Sequence, residues 1–275
     1  MKFPIQYTTS QPIGAGRVVC ICEYDGSAYH GWQAQKCGLP TVQKELGRAI
    51  SQIANEEVEL VCAGRTDASV HSSYQVVHFD TRSVRNLRAW VFGVNSQLPG
   101  NVAVHWFGNT NESFSARFSA TARTYRYFIY NGPVKPAAQD HRITWCFKHL
   151  NEKLMHEAAQ FLLGEQDFSS FRAVECQSHT PFRNVHFIHV KRHGLVVEIE
   201  IKANAFLHHM VRNIAGVLMA VGAGDKPVEW VDSVLQARDR RQGGVTAKPH
   251  GLYLVDVDYP EEFGIPKLPI TPFFM

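Results

Sequence analysis

The octapeptide GRTDASVH, residues 64–71, is the first stretch of the sequence whose residue types could do chemistry. It follows directly on an apolar segment that we expect to be a strand, a position in which scaffolds often hold catalytic residues. The carboxylate of Asp67 lies two residues from the guanidinium of Arg65. Local spacing alone favours an ordinary turn, in which Asp67 bonds its own backbone and Arg65 is solvated. The residues by themselves leave both interpretations open.

A second stretch, residues 114–128, combines positive charge with aromatic rings in the sequence FSARFSATARTYRYF. No acidic residue occurs between Ser113 and Lys135. Arginines interleaved with aromatic side chains suit contacts to phosphates and stacking on bases. A sheet surface built from aromatic cross-strand pairs explains the pattern equally well.

Three further clusters carry weaker signals. HHMVRNIAG, residues 208–216, places Arg212 on an otherwise apolar helix, where the guanidinium needs a carboxylate or phosphate partner or must reach solvent. The adjacent His208 and His209 lack the i, i+4 spacing of a helical metal site, so we predict no metal. FRAVECQSHTP, residues 171–181, reads as a polar turn, and HGLYLVDV, residues 250–257, begins a strand at Leu252, which local sequence makes an ordinary core residue.

Composition limits the class of protein. The chain has 275 residues, of which 45% are hydrophobic and 19% charged, so it can bury a core and is not a disordered protein. The net charge of +3 neither indicates nor excludes a nucleic-acid binder, because a local basic surface can lie within a balanced total. Six cysteines without a CxxC pair argue against a zinc ribbon, and the chain shows no P-loop, GxSxG or GxGxxG motif. We expect no cofactor.

The expected location is the cytoplasm. Residues 1–16 lack the apolar core of a signal peptide. The longest apolar stretch, residues 205–223, contains His208, Arg212 and Asn213, so it does not fit a membrane span. In this compartment we expect the thiols to be reduced.

Hydrophobic periodicity predicts the elements that position these clusters. In the first half we expect strands at 17–24, 58–63, 74–80 and 102–107. Helices should begin after Thr41, which can act as the N-cap, and at Leu87. The order is β-α-β-β-α-β, the ferredoxin-like pattern.

The second half repeats that order with one extra helix. We expect strands at 123–130 and 252–258, a hairpin of 185–192 with 195–202 about His193-Gly194, and helices capped by Asn151, marked by Phe206 to Val221, and opened by Pro227. In the Asn151 helix the predicted inward residues are Leu154, Met155, Ala158, Phe161 and Leu162. The predicted fold is α+β, with ferredoxin-like or RRM-like domains at 1–110 and 111–275, antiparallel sheets side by side and an active-site cleft between them.

Taken together, the clusters resemble the TruA family of tRNA pseudouridine synthases. YDGSAYHGWQAQ, residues 24–35, is similar to the family's YDG…GWQ…Q signature, and GRTDASVH is similar to its catalytic GRTDAGVH. The remaining clusters resemble family motifs in the same order, so the resemblance runs from about Val18 to Pro260. Motifs of this length in one order are highly specific.

The resemblance implies roles for individual residues. Asp67 matches the catalytic nucleophile or base, Arg65 the arginine that helps to flip the target base, and Tyr125 the tyrosine that stacks on the uracil. Arg212 matches the arginine that pairs with the catalytic aspartate, and Leu252 the apolar residue near the base. The other positions that match tRNA contacts are Arg85, Phe114, Ser115, Ala116, Arg117, Phe118, Gln177, Ser178 and His179.

The implied activity is the isomerisation of uridine to pseudouridine at positions 38, 39 and 40 of the tRNA anticodon stem-loop. The N1–C1′ bond is broken and a C5–C1′ bond is formed, without cofactor or metal. The implied assembly is a homodimer in which one tRNA contacts both subunits, with no membrane partner. The sequence leaves open whether Asp67 attacks C1′, attacks C6 or removes a sugar proton. One departure is Ser69, which stands where the family usually has glycine and would be strained at a positive φ.

Two other classes fit parts of the sequence. A non-catalytic RNA-binding module uses the same element order and stacks bases on sheet aromatics, but it has no need of a carboxylate facing phosphates. A glycoside hydrolase breaks a similar bond but usually needs two flanking carboxylates. The clusters offer one candidate acid, Asp67.

Overall fold

A computed structural model describes residues 12–35, 38–270 and 272, which leaves Cys37 outside the described residues. Contacts divide the chain into two compact units. The first runs to Thr121 and resumes at Leu254, and the second is Ala122–Tyr253. The sequence-based boundary after residue 110 lies earlier than this one, because residues 112–116 bind side chains of the first unit.

The first unit is a sheet with two helices. Its elements, in chain order, are β1 (Pro12–Tyr24), α1 (Val42–Ala54), β2 (Val61–Cys62), β3 (His71–Asn86), α2 (Leu87–Gln97) and β4 (Val102–Asn109). The antiparallel strands follow the order β4-β1-β3, with β2 also paired to β3. The order of elements along the chain is the one predicted from hydrophobic periodicity, although β3 is longer and β2 shorter than expected.

Helix α1 illustrates why these elements form. Its buried residues Val42, Leu46, Ala49 and Ile50 repeat at helical spacing and face the core. Thr41 is the N-cap residue as predicted, but its hydroxyl makes no capping hydrogen bond.

The second unit also combines a sheet with helices. Its elements are β5 (Ala122–Asn131), β6 (Thr144–Cys146), α3 (Glu152–Ala159), β7 (Gly164–Asp167), β8 (Phe182–His193), β9 (Val196–Ala203), α4 (Met210–Gly222), α5 (Trp230–Ala237) and the start of β10 (Leu252–Asp258). The order of its strands is β5-β9-β8-β7, with β6 parallel to β5. The two short strands β6 and β7 were not predicted. The mixed α+β class is confirmed.

For helix α3, the predicted N-cap is confirmed but two of the predicted inward residues are wrong. Asn151 caps α3 as expected, since its Oδ1 accepts hydrogen bonds from the N–H groups of Lys153 and Leu154 at 3.0 and 3.2 Å. Leu154 and Phe161, however, are 36% and 38% exposed rather than inward. Leu154 lies beside the stripe formed by the buried Met155, Ala158 and Ala159. After Ala159 the α-helix tightens into a 3-10 turn, which changes the direction of the Phe161 side chain.

Helix boundaries and the hairpin turn also shift. Helix α4 begins at Met210, so Phe206 precedes it. Helix α5 begins at Trp230, whose N–H bonds the carbonyl of Pro227. His193 pairs with Val196, which places Gly194 and Leu195 in the turn.

Within the described parts of the chain, no helix has the length and apolar character needed to cross a membrane.

Candidate active-site loops

The Asp67 loop, residues 64–71, connects β2 to β3 and is fixed by hydrogen bonds to buried, uncharged side chains. The Gln75 side chain accepts a hydrogen bond from Gly64 N–H at 3.3 Å and donates one to Gly64 C=O at 2.7 Å. The Tyr24 hydroxyl lies 2.9 Å from Thr66 Oγ1 and accepts a hydrogen bond from Gln75 at 3.3 Å. All three side chains are buried, so water does not compete for these bonds.

The segment YDGSAYHGWQ packs along the Asp67 loop. Trp32 N–H donates to Thr66 C=O at 3.0 Å, and Ser69 N–H donates to Tyr29 C=O at 3.2 Å. Gly31 has a φ of +90°, and a Cβ at this position would lie 2.7 Å from the carbonyl oxygen of Thr66. A side chain at Gly31 would therefore push against the loop.

Within the loop, Asp67 is half-buried and Arg65 is exposed. The carbonyl of Asp67 accepts a hydrogen bond from Val70 N–H at 3.2 Å, which closes a turn. Ser69 has a φ of +61°, in the left-handed region that favours glycine. The departure from the family's glycine therefore falls on a strained position.

Residues 114–118, FSARF, alternate between burial and exposure. Phe114 and Ala116 are fully buried, whereas Phe118 is 80% exposed. Arg117 is exposed, and its guanidinium carbon lies 5.1 Å from the centre of the Phe118 ring. A charge and a ring thus face solvent together. Arg85, half-buried near the end of β3, donates to the carbonyl of Val84 at 2.8 Å.

Strand β5 changes the interpretation of the acid-free stretch. Arg126 lies 2.8 Å from Glu200 and 3.3 Å from Glu198, both on the neighbouring strand β9. Burial raises the pKa of the Glu198 carboxyl. The Arg123 guanidinium donates to the carbonyl of Asn204 at 3.0 Å. The stretch lacks acids along the chain but not across the sheet, and the charge of Arg126 is already paired with these carboxylates.

Tyr125 lies on the same strand and is 8% exposed. Its ring and that of Phe206 form a T-shaped pair, with a centroid distance of 5.0 Å and an interplanar angle of 81°. Such edge-to-face contacts fix the orientation of a ring.

Arg212 on α4 is tied to the segment that leads into β10. Its Nε donates to the carbonyl of Ala247 at 2.9 Å, and Ala247 N–H donates to the carbonyl of Arg212 at 3.1 Å. This approach requires Gly216, because a Cβ there would lie 1.9 Å from the carbonyl oxygen of Val245. Within the second unit, the Ala247 carbonyl thus accepts a hydrogen bond from one N–H group of the Arg212 guanidinium.

Leu252 follows a 3-10 turn, Pro249–Gly251, and is 6% exposed. Its neighbour Gly251 lies so close to β5 that a Cβ would be 2.4 Å from the carbonyl oxygen of Phe128. The turn therefore fixes where β10 begins.

The Gln177 loop, residues 171–181, is shaped by two arginines that the sequence analysis did not single out. Arg172 donates to the carbonyls of Cys176 and Ser178 at 2.7 and 2.9 Å. Arg183 donates to the Ser178 hydroxyl at 2.6 Å and to the Thr180 carbonyl at 3.0 Å. Gln177 and His179 are exposed, and Ser178 is half-buried. Their role as tRNA contacts stays a prediction.

Other supporting residues were also missed. Gln75, Arg17, His78 and Tyr259 hold loops of the first unit but belong to no motif of the sequence analysis. Tyr24 lies inside the YDG signature, which was the one available signal for this group.

A family model and several curated relatives of this chain carry the same description. The model of a family described as tRNA pseudouridine synthase matches residues 21–119 and 158–260. The protein named tRNA pseudouridine synthase A from Aliivibrio salmonicida is 55% identical over 259 residues, which cover 94% of this chain and 98% of that protein. The protein of the same name from Shewanella sp. (strain W3-18-1) is also 55% identical, with coverage of 94% and 99%. The Pseudomonas aeruginosa protein of that name is 53% identical over 266 residues, with coverage of 97% and 93%.

Among solved structures, one titled "Crystal Structure of a Cbf5-Nop10-Gar1 Complex" aligns with 13% identity and a TM-score of 0.32. The alignment covers 73% of this chain and 54% of that chain, a likeness too weak to establish a common fold.

Proposed function

Because this chain belongs to the tRNA pseudouridine synthase family, we propose that it isomerises uridines 38, 39 and 40 in the anticodon stem-loop of tRNA. It is an isomerase that converts uridine to pseudouridine in tRNA. The proposal adds the positions of the uridines and the residues that act on them.

The reaction breaks the N1–C1′ bond, turns the uracil and joins C5 to C1′, after which the proton on C5 leaves and one on N1 is gained. A stacked uridine is out of reach of an enzyme group, so the base must be flipped out at a cost of a few kcal/mol. Arg65, exposed on the Asp67 loop, is proposed to occupy or hold open the vacated position.

The observation that carries the proposal is the construction of the Asp67 loop. A reacting carboxylate needs a fixed position, since misplacement of reacting atoms by about 1 Å can cost 100-fold in rate. Buried Tyr24, Thr66 and Gln75 supply that fixity through neutral hydrogen bonds. Asp67 is proposed as the nucleophile or base, with attack at C1′, attack at C6 and removal of a sugar proton as its three possible steps.

Three further residues belong to the proposed site by the family resemblance. Tyr125 is proposed to stack on the uracil, a contact worth about 1–3 kcal/mol per base, and to relay the proton from C5. Leu252 is proposed to exclude the water that would hydrolyse the opened sugar. Arg212, by the family resemblance, is the proposed partner of the Asp67 carboxylate.

The finer architecture and assembly are part of the proposal. The order β-α-β-β-α-β in the first unit supports a ferredoxin-like fold for that unit. We propose the same fold for the second unit, with β6, β7 and α5 as additional elements. We further propose a cytoplasmic homodimer in which one tRNA contacts both subunits. The five described cysteines are free thiols, which agrees with a reducing compartment.

The test uses an unmodified tRNA transcript with tritium at C5 of its uridines. Isomerisation exchanges that hydrogen with water, so we expect tritium release that stops when the uridines at 38, 39 and 40 are replaced by cytidine. Release that persists after this replacement would move the target elsewhere in the tRNA. No release from any anticodon stem-loop substrate would refute the proposal.

A further inference from the structure

The backbone N–H and C=O groups of Ala116 both bond side chains that the proposed reaction does not use. Its N–H donates to Nδ1 of His78 at 3.0 Å, and its carbonyl accepts a hydrogen bond from the Tyr259 hydroxyl at 2.7 Å. Ala116 itself is fully buried and His78 is 7% exposed. Buried bonds of this kind are costly to break, because the group left behind has no water to bond.

Arg17 on β1 holds the chain just before this peptide. Its Nη1 donates to the carbonyls of Glu112 and Phe114 at 2.6 and 2.7 Å. The other side of its guanidinium bonds both carboxylate oxygens of Asp80 at 2.8 Å. The planar, bidentate pair with Asp80 fixes the direction in which Arg17 points.

Phe114 supplies an apolar anchor for the same segment. Its ring centre lies 5.0 Å from that of Tyr259, 5.1 Å from that of Phe263 and 5.9 Å from that of His78. Both side chains that bond Ala116, those of His78 and Tyr259, therefore also pack on Phe114. We call His78, Tyr259 and Arg17 the Ala116 clamp.

The two residues that follow Ala116 are exposed to solvent, whereas Ala116 is buried. Arg117 and Phe118 are exposed, with the guanidinium carbon over the ring at 5.1 Å. Short bonds inside the segment shape the turn, since Ser115 N–H donates to the Ser119 hydroxyl at 2.9 Å and Ser119 N–H to the Ser115 carbonyl at 2.9 Å. The backbone below the exposed pair is thus fixed before any ligand arrives.

We propose that the Ala116 clamp consists of positioning residues that hold Arg117 and Phe118 in the arrangement that binds tRNA. A charged side chain suits a phosphate and an exposed ring suits stacking on a base. Fixing their backbone in advance lowers the ordering cost that RNA binding would otherwise pay. The inference rests on the proposed function, which makes this segment a tRNA contact.

His78 acts in the clamp as a neutral imidazole, because Nδ1 must carry a lone pair to accept the Ala116 N–H. Burial, assisted by the charge of Arg17, lowers the pKa of His78 to about 4. The acceptor is therefore intact at neutral pH.

The test compares Tyr259→Phe with Tyr74→Phe. The first variant removes only the hydroxyl that bonds Ala116 and keeps the ring against Phe114. Tyr74 is the matched control, since its hydroxyl also donates to a backbone carbonyl in the same unit, that of Pro266. We expect Tyr259→Phe to weaken the Kd for unmodified tRNA about 3- to 10-fold, the loss of one hydrogen bond, with the single-turnover rate at saturation unchanged. Tyr74→Phe should bind tRNA like the wild type.

His78 provides a rescue experiment. His78→Leu removes the acceptor and should weaken tRNA binding, whereas His78→Asn keeps an acceptor oxygen near the position of Nδ1 and should restore most of it. Melting temperatures of all variants are measured alongside. A loss of affinity that follows melting temperature alone, in Tyr74→Phe as much as in Tyr259→Phe, would overturn the clamp as a positioning device.

Arg117→Ala distinguishes failure of the clamp proposal from failure of the proposed tRNA contact. If Arg117→Ala weakens binding and adding Tyr259→Phe to it has little further effect, the clamp acts through the exposed pair. If Arg117→Ala weakens binding but Tyr259→Phe does not, the clamp is wrong and the tRNA contact stands. If neither Arg117→Ala nor Phe118→Ala changes the Kd, the proposed contact itself is wrong and the clamp falls with it.

Discussion

The Asp67 loop and the Gln177 loop are built on opposite principles. The first is held by buried, uncharged groups, chiefly Tyr24, Gln75 and backbone N–H groups. The second is held by two arginines that reach backbone carbonyls beneath exposed polar residues. Each loop contains residues that the family resemblance assigns to the site.

The difference fits different tasks. Chemistry requires reacting atoms within fractions of an ångström of one geometry, which a dry network of short bonds can provide. Contact with a polyanion tolerates adjustment, and Arg172 and Arg183 beneath the Gln177 loop place positive charge near it. We therefore expect changes around the Asp67 loop to alter the rate of conversion, and changes around the Gln177 loop to alter affinity.

The largest effect among supporting residues is expected for Gly31→Ala. The new Cβ would meet the Thr66 carbonyl at 2.7 Å and would occupy a φ of +90°. We expect the single-turnover rate to fall at least about 10-fold through displacement of Asp67, with tRNA Kd nearly unchanged. Gly194→Ala is the control, since Gly194 has a φ of +60° with nothing within 4 Å of its Cβ position. An equal fall of the single-turnover rate in both variants would contradict a specific role of Gly31 in positioning the Asp67 loop.

Acid should weaken the first unit through His78 and leave intact the bonds from Arg172 and Arg183 to backbone carbonyls of the Gln177 loop. The pKa of His78 is lowered to about 4, so between its ordinary value and 4 the unfolded chain takes up a proton that the folded chain does not. The free energy of unfolding should thus fall by about 1–3 kcal/mol as the pH drops from 6.5 to 4. Denaturant titrations of the wild type and His78→Asn check this, and an identical pH dependence in the two proteins would contradict it.

Arg183→Met tests the Gln177 loop. The change keeps an unbranched apolar stem but removes the donors to Ser178 and Thr180, so the loop loses its shape. We expect tRNA Kd to weaken about 3- to 10-fold with an unchanged rate at saturation. The control is Arg241→Met, because that guanidinium is 89% exposed and pairs with Asp239. A loss of rate at unchanged Kd would place this loop in the chemistry and break the comparison.

The smallest effect is expected for Ser69→Gly. Glycine relieves the strain of a φ of +61° but adds freedom to the unfolded chain, so the free energy of unfolding should change by about 1 kcal/mol or less. The rate should stay within about threefold of the wild type, because the loop keeps its hydrogen bonds. Asn55→Gly, at a φ of +59° after α1, is the matched control. A 10-fold change in rate for Ser69→Gly alone would give its side chain a part in the site.

Local patterns in the sequence predicted much of the fold. The stripe of α1 and the Asn151 cap of α3 depend on neighbours within a few residues, and both were predicted. The short strands β6 and β7 were missed, because three or four paired residues have no periodicity of their own. Phe161 was misplaced because the change from an α-helix to a 3-10 turn after Ala159 leaves no clear mark in the sequence. Leu154 lies within α3 itself, beside the buried stripe of Met155 and Ala158 rather than in it.

Candidate site residues could be assigned from the sequence where a continuous motif carries them, and less so where the contact is between distant residues. The Asp67 loop and its YDGSAYHGWQ neighbour are continuous motifs. Arg126 is paired with Glu200, 74 residues away, and this pairing depends on the register of β5 against β9. His78 and Tyr259 approach Ala116 from 38 and 143 residues away. Such contacts come from topology, which spacing along the chain does not reveal.

Asp67→Asn provides the most direct test of the division between the two loops. The variant keeps the size and hydrogen-bonding shape of the side chain but removes the charge that a nucleophile or base requires. Single-turnover conversion of a C5-tritiated tRNA transcript is measured at saturating enzyme, together with the Kd for the same tRNA. We predict no detectable tritium release and a Kd within a few fold of the wild type. Conversion at near the wild-type rate would contradict the assignment of the chemistry to Asp67.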